Sequence, residues 1–154
     1  MAGLRSTPVA RMVAMLLVVA ATMVAAGCGG EREAADDRAL TKREYIERAN
    51  GLQGDAQEVF AQLDGRLAAT PATAKTYVAA FDRLIAGYGE LRAPRDWRDE
   101  HDQLVESLET MRHAVLIVSR ASARNRAVIT AQVARFQEAQ RDYQAAVQSI
   151  NSSR

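Results

Sequence analysis

The most regular apolar pattern in the chain lies in the segment WRDEHDQLVESLETMRHAVLIV, residues 97–118. Its inward positions repeat in alternating steps of four and three, which keeps them on one face of an α-helix of about 3.6 residues per turn. These positions are Trp97, His101, Leu104, Leu108, Met111, Val115 and Val118. The segment therefore predicts a long helix whose buried face must be covered by other helices.

Three similar stripes flank this segment, two before it and one after it. They comprise Tyr45, Ala49, Leu52, Ala56, Val59 and Leu63; Ala74, Val78, Phe81, Ile85, Tyr88 and Leu91; and Ile129, Val133, Phe136, Gln140, Tyr143, Val147 and Ile150. No alternating run of β-branched or aromatic residues that would indicate a strand follows residue 41. Four stripes with short connections predict an all-α, up-down-up-down four-helix bundle.

Several helix starts can be read from the residues that precede the stripes. Thr41 and Glu44 form a capping box, in which each side chain bonds the backbone N–H of the other residue. Thr70 followed by Pro71 indicates an N-cap and a proline at the first helical position, and Pro94 is expected to start the third helix in the same way.

The connection between the third and fourth stripes is less clearly marked. Residues 119–127 are polar and rich in arginine, but they contain neither glycine nor proline. A hairpin turn is favoured over one helix from 95 to 151, because a single helix would leave long apolar stripes without partners in a small domain.

The N-terminal residues resemble an export signal. Arg5 and Arg11 precede a nearly continuous apolar run over residues 12–26, which ends in Gly27-Cys28. This order of regions is typical of a signal peptide. An uncleaved membrane anchor is the alternative, but a membrane span needs about 20 apolar residues and this run is shorter. We therefore predict that residues 1–27 are removed.

The residues around the predicted cleavage site carry a resemblance to a known class. Val24-Ala25-Ala26-Gly27-Cys28 resembles the lipobox of bacterial lipoproteins, although alanine stands at 25 where leucine is commonest. The resemblance implies that Cys28 receives a diacylglycerol group and becomes the N-terminus of a lipoprotein anchored on the extracytoplasmic side of the cell membrane. The alternative is an ordinary secretory signal with an incidental cysteine.

The composition limits what the mature part does. Without Arg5 and Arg11 it has 18 basic and 19 acidic residues, so nucleic acid is not an expected partner. Cys28 is the only cysteine, and its lipidation would leave no thiol for a disulfide. We predict a tether over residues 28–40, with a polar part that spans at most about 35 Å. One helical domain over 41–154 follows it.

A second resemblance begins where the tether ends. The stretch LTKREYIERAN, residues 40–50, resembles the opening of small helical lipoproteins and secreted proteins of actinobacteria and their relatives. Those proteins often have a cysteine where this chain has Gln53, so any disulfide that they form is absent here. This resemblance implies location and fold, and no activity.

Antiparallel stacking of the stripes places most polar-tipped aromatic side chains at the membrane-proximal end of the bundle. Tyr88, His101, Gln140 and Tyr143 are the candidate lining of a pocket there. The alternative is that these side chains simply pack, with their polar atoms bonded locally or reaching the surface.

Arg120, Arg124 and Arg126 cluster at the predicted distal turn, the turn at the opposite end of the bundle. Arginine suits the C-terminal end of a helix but opposes the dipole at an N-terminal end. The cluster is therefore a candidate surface for an anionic envelope partner, with a solvated basic loop as the alternative.

No pattern predicts a metal site or a cofactor. His101 and His113 are expected on different helix faces, and ligation of haem by His101 and Met111 would have to bridge about 15 Å along one helix. No nucleophile is paired with a histidine. Two function classes stay open: a non-enzymatic binding or scaffold lipoprotein of the envelope, and a carrier of a small molecule or lipid.

Overall fold

The computed structural model describes residues 38–63, 67, 70–121 and 124–153. Those residues form four helices and no strand: α1 (Lys42–Leu63), α2 (Pro71–Gly89), α3 (Arg98–Arg120) and α4 (Arg126–Ser152). The fold is the predicted all-α, up-down-up-down four-helix bundle. The predicted signal peptide, Cys28 and the predicted tether up to residue 37 lie outside the described residues.

No helix in the described part of the chain is both long enough and apolar enough to cross a membrane.

The capping residues act as the sequence predicts. The Thr41 N–H donates to Glu44 Oε2 at 2.8 Å, and the Glu44 N–H donates to Thr41 Oγ1 at 3.3 Å. At the start of α2, the Thr70 hydroxyl accepts the Thr73 N–H, and Pro71 is the first helical residue. These bonds satisfy backbone donors that have no partner inside the helix.

The folded domain begins slightly before its predicted boundary. Leu40, assigned to the tether, is half-buried against the core, and its N–H donates to the Arg92 carbonyl at 2.8 Å. The chain is therefore fixed to the connection between α2 and α3 before α1 begins.

The prediction that Pro94 occupies the first position of the third helix is wrong. Pro94 precedes a single 3₁₀ turn, Arg95–Trp97, and α3 begins only at Arg98. Trp97 has φ −121° and ψ 14°, which interrupts the helix. Its indole is 1% exposed, so burial of this side chain offsets the break in regular helix.

The turn between the third and fourth helices lies where the hairpin interpretation places it. Helix α3 ends at Arg120 and α4 begins at Arg126, and the Ala121 N–H bonds the carbonyls of Ile117 and Val118. The alternative of one continuous helix is therefore excluded. Folding back lets both helices bury their stripes within one domain.

The core follows the predicted stripe most closely in α3 and at the residue just before it. All seven inward positions from Trp97 to Val118 are buried. In α1 and α2 the stripes are also inward, but Ala49, Leu52, Val78 and Ile85 are only partly buried. Among the helix pairs that are neighbours in sequence, packing is most extensive between α3 and α4, less between α2 and α3, and least between α1 and α2.

The predicted face of α4 needs correction. Val133, Gln140 and Val147 are only half-buried, and the residues directly before them, Gln132, Ala139 and Ala146, are buried instead. These three positions are spaced by seven residues, and Ser107 and Ala114 repeat the same spacing on α3. Small side chains let two helix backbones approach closely, so α4 is rotated toward α3.

Candidate functional site

The end of the bundle at which α1 and α3 begin contains five ring side chains in contact with one another, which we call the aromatic cluster: Tyr45, Tyr88, Trp97, His101 and Tyr143. Each of the five is at most 9% exposed. Most neighbouring rings meet edge to face, with centroids 5.7 Å apart for Tyr45 and Trp97 and 6.4 Å apart for Tyr88 and Tyr143. This arrangement suits the quadrupoles of aromatic rings.

The polar atoms of the aromatic cluster bond one another across the bundle. Tyr45 Oη on α1 lies 3.0 Å from His101 Nδ1 on α3, and Tyr88 Oη on α2 lies 2.9 Å from Tyr143 Oη on α4. Among the described residues, every fully buried side-chain nitrogen or oxygen has a hydrogen-bond partner. The cluster therefore ties all four helices together, and none of its fully buried polar atoms is left without a partner.

Burial sets the protonation state of the aromatic cluster. Burial raises the pKa values of the Tyr45, Tyr88 and Tyr143 hydroxyls above their ordinary value, so all three stay neutral. Burial also lowers the pKa of His101, and the nearby Asp102 carboxylate opposes that shift in part. A neutral imidazole with its proton on Nε2 accepts a hydrogen bond from the Tyr45 hydroxyl at Nδ1, which is consistent with the contact observed.

The predicted pocket is almost filled. The structure brings Tyr88, His101 and Tyr143 together, and Gln140 is half-buried. Of these four predicted residues, only Tyr88 lines the adjoining cleft. That cleft, between α1 and α4, has a volume of about 20 Å³. A space of this size holds about one water molecule, so a lipid-sized ligand would need the helices to separate.

A group of contacts among Lys42, Asp96, Trp97 and Ser153 closes this end of the bundle, and the sequence analysis did not predict it. The Trp97 indole N–H donates to Ser153 Oγ at 2.7 Å, and Lys42 Nζ lies 5.0 Å from the centroid of the Trp97 ring. Lys42 also donates to the Ser153 carbonyl and pairs with Asp96 at 3.6 Å. The sequence pattern gave no sign of these contacts, because they join residues far apart in the chain.

The three arginines of the predicted partner surface lie at the distal turn, and all are exposed. Arg120 is the last residue of α3, where its charge suits the helix dipole, and Arg126 is the first residue of α4, where its charge opposes the dipole. Arg124 lies between the two helices. We call these residues the distal arginine turn.

The described residues contain no group of three histidine, cysteine, aspartate or glutamate side chains that could hold a metal ion. Comparison of the chain with protein-family models, with curated proteins and with solved structures gave no match.

Proposed function

We propose that the chain is a lipoprotein of the bacterial envelope whose helical domain binds a partner protein and catalyses no reaction. The lipobox at residues 24–28 supports the anchor, and the polar tether places the domain in water outside the membrane. One acyl chain gives only marginal membrane binding, whereas the two or three chains of a processed lipoprotein anchor it stably.

The observation that carries the binding or scaffold function is the filled aromatic cluster. Its polar atoms are used by the bundle itself, in the Tyr45–His101 and Tyr88–Tyr143 bonds. The volume of about 20 Å³ beside it favours a scaffold over a carrier that encloses a ligand at this end. The outer surface and the turns are then the places where a partner binds.

The distal arginine turn is the surface that suits an anionic partner. It lies at the end of the bundle opposite the tether, roughly 35 Å away for helices of this length. Guanidinium groups form paired hydrogen bonds with carboxylates, so acidic side chains on an envelope protein would complement them. The short tether and a distal contact surface together would let the domain bridge the membrane and that protein.

The anchor is tested by replacing Cys28 with alanine. We expect the variant to incorporate no label from a fatty acid supplied to the cells and to keep its signal peptide, because the cysteine sulfur is the acylation site. Replacement of Ser6, which lies outside the lipobox, serves as the control and should leave labelling unchanged. Labelling of the Cys28→Ala protein would contradict the anchor.

The binding surface is tested by photo-crosslinking in living cells. A photoreactive amino acid at Arg124 should yield a discrete crosslinked protein, and one at exposed Gln144 on α4 should not. Charge reversal of Arg120 and Arg126 should abolish the crosslink while the helical content is retained, since exposed charges contribute little to stability. A crosslink that survives this reversal, or hydrolysis of an envelope substrate by the pure protein, would overturn the proposal.

A further inference from the structure

A cleft between α1 and α2, whose lining includes no residue of the aromatic cluster or of the distal arginine turn, has the chemistry of a ligand site. Its volume is about 300 Å³, which is the lower end of the range for small-molecule sites. It is many times larger than the space beside the aromatic cluster. The cleft exists because α1 is the helix that packs least closely against its neighbours.

Contacts between the two helices close the cleft at both ends. At the membrane-proximal end the Leu52 side chain fills the space over Gly87, where an added Cβ would lie 2.6 Å from Leu52 Cδ2. At the other end the Tyr77 hydroxyl donates to the Gln62 carbonyl at 3.2 Å. Ten residues separate Leu52 from Gln62, so the cleft is about 15 Å long.

The two walls of the cleft carry opposite charges. Asp55 and Glu58 line it from α1, and Arg83 lines it from α2. All three are exposed, and none of them forms an ion pair or hydrogen bond with a described residue. In the antiparallel register set by the Leu52–Gly87 and Tyr77–Gln62 contacts, Arg83 is level with Asp55, within one residue.

Apolar side chains lie between the charged walls. Val59 and Leu84 are buried, Ala80 is half-buried, and all three line the cleft. A carboxylate pair binds an ammonium group, and a guanidinium binds a carboxylate or phosphate through paired hydrogen bonds. The remaining apolar surface would take up a hydrocarbon portion of the same molecule.

We propose that this cleft binds a small zwitterion that combines an ammonium group, a carboxylate or phosphate group, and an apolar portion. Asp55 and Glu58 bind the ammonium group, Arg83 binds the anionic group, and the Val59, Ala80 and Leu84 side chains contact the apolar portion. Two sources share this chemistry: a short apolar peptide with free ends, and the headgroup region of an aminophospholipid.

The test is isothermal titration of the lipidated protein, purified from membranes in a neutral maltoside detergent. The probes are trileucine with free ends and dihexanoylphosphatidylethanolamine. Binding of trileucine would identify a short peptide as the ligand, and binding of the phospholipid would identify an aminophospholipid headgroup. If neither probe binds, the proposal is overturned. N-acetyl-trileucine and trileucine amide each lack one charge and should bind about tenfold more weakly or worse.

Variants with matched controls locate the site. Glu58→Gln and Arg83→Gln should each weaken binding of the better probe about tenfold or more, whereas Glu109→Gln and Arg141→Gln, on exposed positions of α3 and α4, should not. Ala80→Leu should block the cleft without changing its charge. Equal binding by cleft and control variants, or by charged and blocked peptides, would overturn the proposal. Charge reversal at the distal arginine turn should leave ligand binding in the cleft intact. The ligand proposal and the proposed binding of a partner protein can therefore be refuted independently of each other.

Discussion

The burial of His101 makes the free energy of unfolding depend on pH. Because its pKa is lowered in the folded chain, the unfolded chain binds a proton at higher pH than the folded chain does. The contribution of His101 to stability is therefore complete above about pH 6.5, the ordinary histidine value, and is lost as the pH falls below it. Protonation would also reverse the direction of the Tyr45–His101 hydrogen bond, because Nδ1–H would then donate to the Tyr45 hydroxyl oxygen.

We predict that the free energy of unfolding declines as the pH falls from about 7 to about 5, and that His101→Gln removes much of this decline. Urea unfolding followed by circular dichroism at several pH values measures it. His113, which is exposed, provides the matched control, and His113→Gln should keep the wild-type pH profile. An unchanged profile in His101→Gln would show that the imidazole is not the group responsible.

Trp97 and Leu104 test the register of the central stripe. Both side chains are at most 2% exposed, so each truncation to alanine leaves a cavity and should lower the free energy of unfolding by about 2 to 5 kcal/mol. Gln103→Ala, on the exposed face of the same helix, should cost well under about 1 kcal/mol. Near-zero losses at both Trp97 and Leu104 would contradict the observed packing.

At the scale of single helices, the glycines of α1 and α2 differ in what surrounds them. Gly51 and Gly54 have no heavy atom within 4 Å of an added Cβ, whereas at Gly87 the Leu52 side chain already occupies that position. Glycine inside a helix costs about 1 kcal/mol relative to alanine.

We therefore expect Gly51→Ala and Gly54→Ala each to raise the free energy of unfolding by about 0.5 to 1 kcal/mol. Gly87→Ala should raise the free energy of unfolding by less than this or lower it, because the Leu52 side chain must move to make room for the added methyl group. Thermal and urea unfolding of the three variants provide the comparison. Equal gains at all three positions would mean that α1 and α2 do not meet at Gly87.

The contact between α3 and α4 depends on small side chains, and Ala146 is its clearest test. Ala146 is 1% exposed and Ala145 beside it is exposed. Ala146→Leu should overpack the contact and cost about 1 to 3 kcal/mol, whereas Ala145→Leu should be nearly neutral. The two free energies of unfolding, measured side by side, establish which face of α4 meets α3.

At the scale of the whole molecule, the folded domain includes residues that precede α1. The fragment 41–154 should fold by itself and be strongly helical without metal, since the four stripes supply its core. The fragment 38–154 should be more stable by about 1 kcal/mol, because it keeps the Leu40 side chain and its bond to Arg92. Urea unfolding of both fragments measures the difference; an unfolded 41–154 would contradict the predicted domain boundary.

The sequence by itself determined the helices, most of their ends and the central core stripe. Those features depend on local rules: the period of the stripe from Trp97 to Val118, the capping box at Thr41 and Glu44, and the cap at Thr70. It also supplied the lipobox, which stays a prediction about residues that the structure does not describe. The proximity of Tyr88, His101 and Tyr143 could be predicted because these residues share the inward stripes at one end, although they do not enclose the predicted pocket.

Tertiary structure decided the features that depend on distances between helices. The rotation of α4 toward α3 follows from the small side chains Ala139 and Ala146. The predicted stripe was assigned from larger apolar residues and therefore did not include them. Whether Tyr88 and Tyr143 would enclose a space or bond each other depended on how closely their helices approach. The cleft between α1 and α2 has the same origin, since Leu52 contacts Gly87 at one end of it and Tyr77 bonds the Gln62 carbonyl at the other, and the distance between the helices sets the space between these contacts. Local sequence rules fix which side chains point inward, whereas packing of the whole core fixes how far apart they lie.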